Sequence, residues 1–146
     1  MPDLTLGIDV AASREQTWTA VVDWARQSEW MLGTRVEPGD QGGHGVGGTI
    51  HAWSGIGSLG FWDTMTITAW DPPSRCDVLH TGKVVRGTGS FTLAPGRGGS
   101  RFVWSERLDL PFGMVGRVGW YVVRPLFAAG IRRSLRRFAR FAESYG

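Results

Sequence analysis

The chain has 146 residues, a formal net charge of +3, 22 Gly, 8 Trp and 1 Cys. That length suits one domain, residues 1–146, with a substantial core. No run of about eighteen uncharged apolar residues could span a membrane, and the lone Cys76 rules out an intrachain disulfide or a cysteine-rich zinc site.

The opening Met1-Pro2-Asp3-Leu4 lacks the basic and apolar segments of a signal peptide, so the cytoplasm is the expected compartment. From Leu4 to Val10, Leu4, Leu6, Ile8 and Val10 alternate with Thr5, Gly7 and Asp9, the pattern of a half-buried strand. Ser13 then reads as the N-cap of a helix that carries Trp18, Val21 and Val22 on one face. A second short helix follows over Asp23–Trp30, and a short strand over Arg35–Glu37. The glycine-dense Gly39–Gly48 offers few side chains for packing and is expected to be mobile.

Strand signals resume at Thr49–Trp53 and Phe61–Trp70. In the second of these, Phe61, Asp63, Met65, Ile67 and Ala69 share one face; Trp62, Thr64, Thr66, Thr68 and Trp70 share the other. Asp71-Pro72-Pro73-Ser74 is a turn, and strands follow over Arg75–Thr81, Val85–Ala94 and Ser100–Leu110. From Phe127 onward, Phe127, Ile131, Leu135, Phe138 and Ala142 line one side of a long helix. Arg132, Arg133, Arg136, Arg137 and Arg140 lie on the other side. Such a helix must bury its apolar stripe against a broad surface, and the strand-rich middle of the chain is the candidate. The expected class is α+β, an antiparallel sheet of about seven strands with helices gathered on one side. Pro125 should kink the helix or mark the start of its second half.

Several local patterns carry a resemblance. They are Ile8-Asp9-Val10-Ala11-Ala12-Ser13 with Thr17-Trp18 and Val22-Asp23-Trp24, then Gly45-Val46-Gly47-Gly48-Thr49, then Ile67-Thr68-Ala69-Trp70-Asp71-Pro72-Pro73, and finally Arg133-Ser134-Leu135-Arg136-Arg137-Phe138. Together with the element order, they make the chain resemble the START-like, or helix-grip, superfamily (SRPBCC) of polyketide cyclases and lipid-transport proteins, over almost its whole length. The resemblance implies a seven-stranded sheet wrapped around the last helix, with two short helices after the first strand. It also implies a cavity for an apolar or polyaromatic ligand. It does not imply one chemistry, because the superfamily includes carriers, receptors and cyclases without a shared catalytic residue.

Strand parity supplies candidate site residues. Ile50, Phe61, Met65, Val78, Phe91, Leu93, Phe102, Trp104, Leu108 and Trp120 form the expected inward set. Asp63, between Phe61 and Met65, and Glu106, between Trp104 and Leu108, fall on the same apolar parity. Carboxylates in that setting must be paired, protonated or hydrated. They are candidates to orient a ligand or serve as acid and base; the structural alternative is pairing with an arginine such as Arg124. His51 or His80 is a candidate polar group of the cavity. His44, His51 and His80 share no spacing with carboxylates that would build a metal site, and no metal or cofactor is expected. Two G-x-G-x-x-G matches, Gly43–Gly48 and Gly55–Gly60, lie between strands, where no helix N-terminus would receive a pyrophosphate. Leu110–Gly116 is a candidate lid over the cavity together with Gly39–Gly48.

Three functions compete. The first is an intracellular carrier for a small hydrophobic molecule of the lipid, fatty acyl or polyketide kind, with Asp63, His80 and Glu106 among its ligand-binding residues. The second is a polyketide cyclase or aromatase using the same cavity, with Asp63, Glu106 and His80 as catalytic candidates. No nucleophile with an adjacent base is visible. The third is an interaction module or homodimer formed through the face bearing Trp62 and Trp70. The arginine face reads as solvated, with at most peripheral membrane contact, and no aromatic platform for nucleic acid is present.

Overall fold

The computed structural model describes residues 3–56, 58–82, 85–109 and 113–145; the side chains of Ile56, of residues 113–117 and of Trp120 and Val123 also lie outside the described set. The strands begin where the apolar alternation begins. They are β1 (Asp3–Val10), β2 (Thr34–Pro38), β3 (Thr49–Ile56), β4 (Leu59–Asp71), β5 (Arg75–Thr81), β6 (Arg86–Gly96) and β7 (Gly99–Asp109). All pair antiparallel in one curled sheet of order β1-β7-β6-β5-β4-β3-β2. Between β1 and β2 lie helix α1 (Arg14–Val21) and a 3₁₀ turn, Trp24–Glu29. The Ser13 side chain accepts from Gln16 N at 3.1 Å, the cap that starts α1. The last element is α2 (Gly113–Glu143), with Pro125 inside it. This is the helix-grip arrangement that the family resemblance implies.

The grip is aromatic. Phe138 of α2 is fully buried, 4.7 Å by ring centroid from both Trp30 and Phe102. Ile131, Leu135 and Ala142 are buried on the same stripe, while the arginines opposite are exposed. The C-terminal end of α2 is tied down by polar bonds as well. Gln16 Nε2 donates to Ala142 O at 2.7 Å, and Tyr145 OH to Asp23 Oδ2 at 2.7 Å. Further up α2, Val118, Tyr121, Val122 and Leu126 are exposed and Phe127 is 40% exposed, so among the described side chains the buried stripe begins at Ala128. Among the described residues, no helix is long and apolar enough to cross a membrane.

Two expectations need correction. Gly39–Gly48 is not loose. Trp24 Nε1 donates to Gly43 O at 2.7 Å, Ile67 N to Gly48 O at 2.8 Å and Gly47 N to Ile67 O at 2.9 Å, and the His44 ring stacks on Trp70. The loop is held through its backbone, which glycine leaves open to partners and which side-chain counting overlooks. Second, Trp70 does not share a surface with Trp62. The β4–β5 register shifts between Ile67 and Ala69, and a bulge of this kind reverses the face of everything beyond it. Trp70 therefore turns inward and meets Trp18 edge-on, 5.0 Å between centroids, while Trp62 stays on the outer face in register with Trp53 of β3. Trp62 and Trp70 therefore do not share the face expected of them.

Candidate functional site

Between the concave face of the sheet and α2 lies a cavity of about 950 Å³. Its walls are almost wholly apolar: Ile50 and Ala52 from β3, Phe61 and Met65 from β4, Val78 from β5, Phe91 from β6, Trp104 and Leu108 from β7, Ile131 from α2. Cys76 adds a thiol pushed up to about 12, by burial first and then by the neighbouring Asp77 charge. Leu32, Leu59 and Phe127 both line the cavity and are exposed, and so mark its rim.

One part of the wall is ionic. His80 of β5 points inward with Val78 and Cys76, its side chain only 4% exposed. Its Nδ1 lies 2.9 Å from Asp63 Oδ1 on β4, and its Nε2 lies 2.9 Å from Glu106 Oε2 on β7. Trp104 Nε1 donates to the other oxygen, Glu106 Oε1, at 3.0 Å. Asp63 is on the neighbouring strand, but Glu106 is two strands away, beyond β6. The pair can meet across that gap because β6 offers glycine there. Gly89 is in register with Glu106, and Gly87 with His80. A Cβ on Gly89 would stand 2.9 Å from Glu106 Oε2, so any side chain would contest the space that the carboxylate occupies.

The geometry also sets the protonation. Each ring nitrogen faces a carboxylate oxygen, and two carboxylates can only accept, so both nitrogens carry hydrogen. Burial alone would push the imidazole down. The hydrogen bonds and charges of Asp63 and Glu106 outweigh it and hold His80 up to about 10. The unit is an imidazolium between two carboxylates.

Other residues from the sequence reading fall elsewhere. Phe102 and Leu93 are buried in the core rather than along the cavity; Phe102 packs between Trp30, Phe91 and Phe138. His51 pairs with Thr64 and so faces the outer side of the sheet, because Ile50 and Ala52 face inward. His44 is held against Trp70 with its ring 3.3 Å from Val22 O. Arg124 is exposed on α2; the carboxylates take His80 as their partner instead. The Trp120 side chain and residues 110–112 of the expected lid lie outside the described residues, and none of Gly39–Gly48 lines the cavity. Sequence reasoning passed over Gln27, Met31 and Ser134, which complete the helical side. It also passed over Gly89, although Gly87-Thr88-Gly89 inside a strand signals close approach by another group.

Comparison with known proteins agrees with this architecture. The family described as polyketide cyclase / dehydrase and lipid transport matches residues 1–143. The chain belongs to that family. An uncharacterized protein of Mycobacterium tuberculosis, Rv1546, is 31% identical over 158 residues, covering 100% of both chains. Among solved structures, TTHA0849 from Thermus thermophilus superposes with a TM-score of 0.81 at 14% identity, covering 97% of each chain. The di-domain ARO/CYC StfQ of the steffimycin biosynthetic pathway gives 0.75 at 14% identity, over 97% of this chain and 50% of that one. At such identities the likeness of these structures is one of fold.

Proposed function

We propose that this member of the polyketide cyclase / dehydrase and lipid transport family is a binding protein. It takes up a small hydrophobic molecule, of the lipid, fatty acyl or polyketide kind, into the cavity between sheet and α2. The observation that carries this reading is the cavity itself. About 950 Å³ of apolar-walled space lies at the upper end of the size of small-molecule sites, and burial of a ligand there is worth about 25 cal/mol per Å² of apolar surface. What supports binding over a cyclase reading is the state of His80. A general acid or base works best when its proton exchanges near the working pH. His80 keeps both protons up to about 10 and has both engaged by carboxylates, so it is poorly placed to exchange one with a substrate.

Titration with an uncharged fluorescent probe such as N-phenyl-1-naphthylamine, followed by native mass spectrometry for a co-purifying apolar compound, tests the reading. Saturable probe binding that quenches tryptophan emission is expected. Absence of both probe uptake and a co-purifying compound would refute it. Turnover of a polyketide substrate that disappears in Asp63→Asn while affinity stays unchanged would instead establish the cyclase.

A further inference from the structure

The donors and acceptors along the cavity wall are unevenly committed. Both N–H groups of His80 are engaged by Asp63 and Glu106, and the Trp104 N–H by Glu106. Each Glu106 oxygen therefore already accepts one hydrogen bond. Asp63 differs: Oδ1 faces His80, whereas Oδ2 accepts no hydrogen bond among the described residues, and the side chain keeps 15% of its surface open. Gln27 Oε1, also on the cavity wall and buried, is a second acceptor without a partner among the described residues. The vacant capacity of the ionic wall is thus for accepting hydrogen bonds. Its charge points the same way. Two carboxylates around one imidazolium leave one negative charge in excess, and no Arg or Lys stands among the described lining residues.

Accepting the cavity as a binding site, we propose that its ligand is an amphiphile whose polar end donates hydrogen bonds, a protonated amine above all, and that free carboxylates are rejected. An ammonium brought to Asp63 Oδ2 finds an acceptor and neutralises the excess charge. A hydroxyl finds the acceptor alone. A carboxylate finds no free donor on Asp63, His80, Trp104 or Glu106 and would be desolvated beside like charge, which the neutral hydroxyls of Ser54 and Ser134 on the cavity wall do not cancel. The fatty acyl ligands of the broader reading would then enter only with the acid masked, as an amide, ester or alcohol.

The test uses single-chain amphiphiles of equal length: dodecylamine, dodecanol and laurate, each kept below its micelle concentration, displacing N-phenyl-1-naphthylamine at pH 7. The order expected is amine, then alcohol, then laurate, with amine and laurate separated by about tenfold or more. The net charge of the protein, +3, would favour laurate at the surface, so preference for the amine has to come from the cavity. Asp63→Asn should bring amine and laurate to within about twofold of each other, because it removes both the open acceptor and the excess charge. Laurate displacing the probe as readily as the amine overturns the ligand class and leaves the binding reading standing. A preference for amine that survives Asp63→Asn overturns the assignment to this wall. Failure of the probe and all three amphiphiles to bind removes the binding reading and the proposal with it.

Discussion

Removal of His80 should damage the protein more than removal of any surface charge. His80→Leu roughly keeps the volume but leaves Asp63 and Glu106 without their shared cation. Their side chains are 15% and 12% exposed, and that of His80 is 4% exposed. Removing one partner of a buried ion pair costs about 3–5 kcal/mol. Because both carboxylates border the cavity and can draw on water there, the low end, about 3 kcal/mol, is the expected loss. In a domain of this size that corresponds to roughly 6–12 °C in Tm. Urea melts at pH 7 measure it directly. Replacing all three residues together, by Asp63→Asn, His80→Leu and Glu106→Gln, should recover much of the loss, since no charge is then left unpaired. The pH dependence gives a second signature. The folded-state pKa of His80, about 10, lies above the ordinary value of 6.5. Its contribution is therefore fully present below about 6.5 and disappears as pH rises through about 10. Between pH 7 and 10.5 the wild type should lose on the order of a few kcal/mol that His80→Leu does not lose. A His80→Leu penalty under about 1 kcal/mol, or parallel pH curves for the two proteins, would mean that the carboxylates are hydrated and the imidazolium is no clamp.

Leu135→Ala and Phe138→Ala should each cost about 2–5 kcal/mol by urea melt, because both side chains are fully buried under the sheet; the exposed Arg136→Ala should stay within about 0.5 kcal/mol. Equal losses in the two sets would contradict the orientation of α2. Gly89→Ala should displace Glu106 and cost about 1–3 kcal/mol, given a Cβ 2.9 Å from its carboxylate. Its loss should shrink when combined with Glu106→Ala, a coupling that a double-mutant cycle reads out. Cys76, buried with its thiol held up to about 12, should label with iodoacetamide at pH 8 only on the timescale of unfolding. Rapid labelling of the native protein would show that the thiol is neither shielded nor held neutral by its surroundings.

Much of this organisation is legible in the residues. Strand alternation has period two, so each residue's face follows from its neighbours. Asp63, Val78, His80 and Glu106 reach the inner face for the same reason as Phe61 and Trp104. The four-four-three-four spacing of α2 likewise places Ile131, Leu135, Phe138 and Ala142 inward. Local chemistry accounts for these because the information lies within a few residues of where it acts.

Where two faces meet depends on register, and register is a property of the whole sheet. Periodicity marks Phe102 and Phe91 alike as inward, yet Phe102 is sealed by Trp30 and Phe138 while Phe91 borders open space. Only the position of α2 along the sheet separates them. The bulge between Ile67 and Ala69 turned Trp70 against its apparent parity, since one extra residue shifts every later side chain to the other face. The ionic wall is the clearest case. Sequence placed two carboxylates on inner faces, offered His51 or His80 as a cavity histidine, and went no further. That His80 lies between them follows from strand order, from the register that sets Gly87 and Gly89 beside His80 and Glu106, and from the absence of a β6 side chain in between. Asp63 and Glu106 are 43 residues apart in the chain, too far for any local pattern to pair them; the folded sheet brings both within 2.9 Å of one imidazole ring.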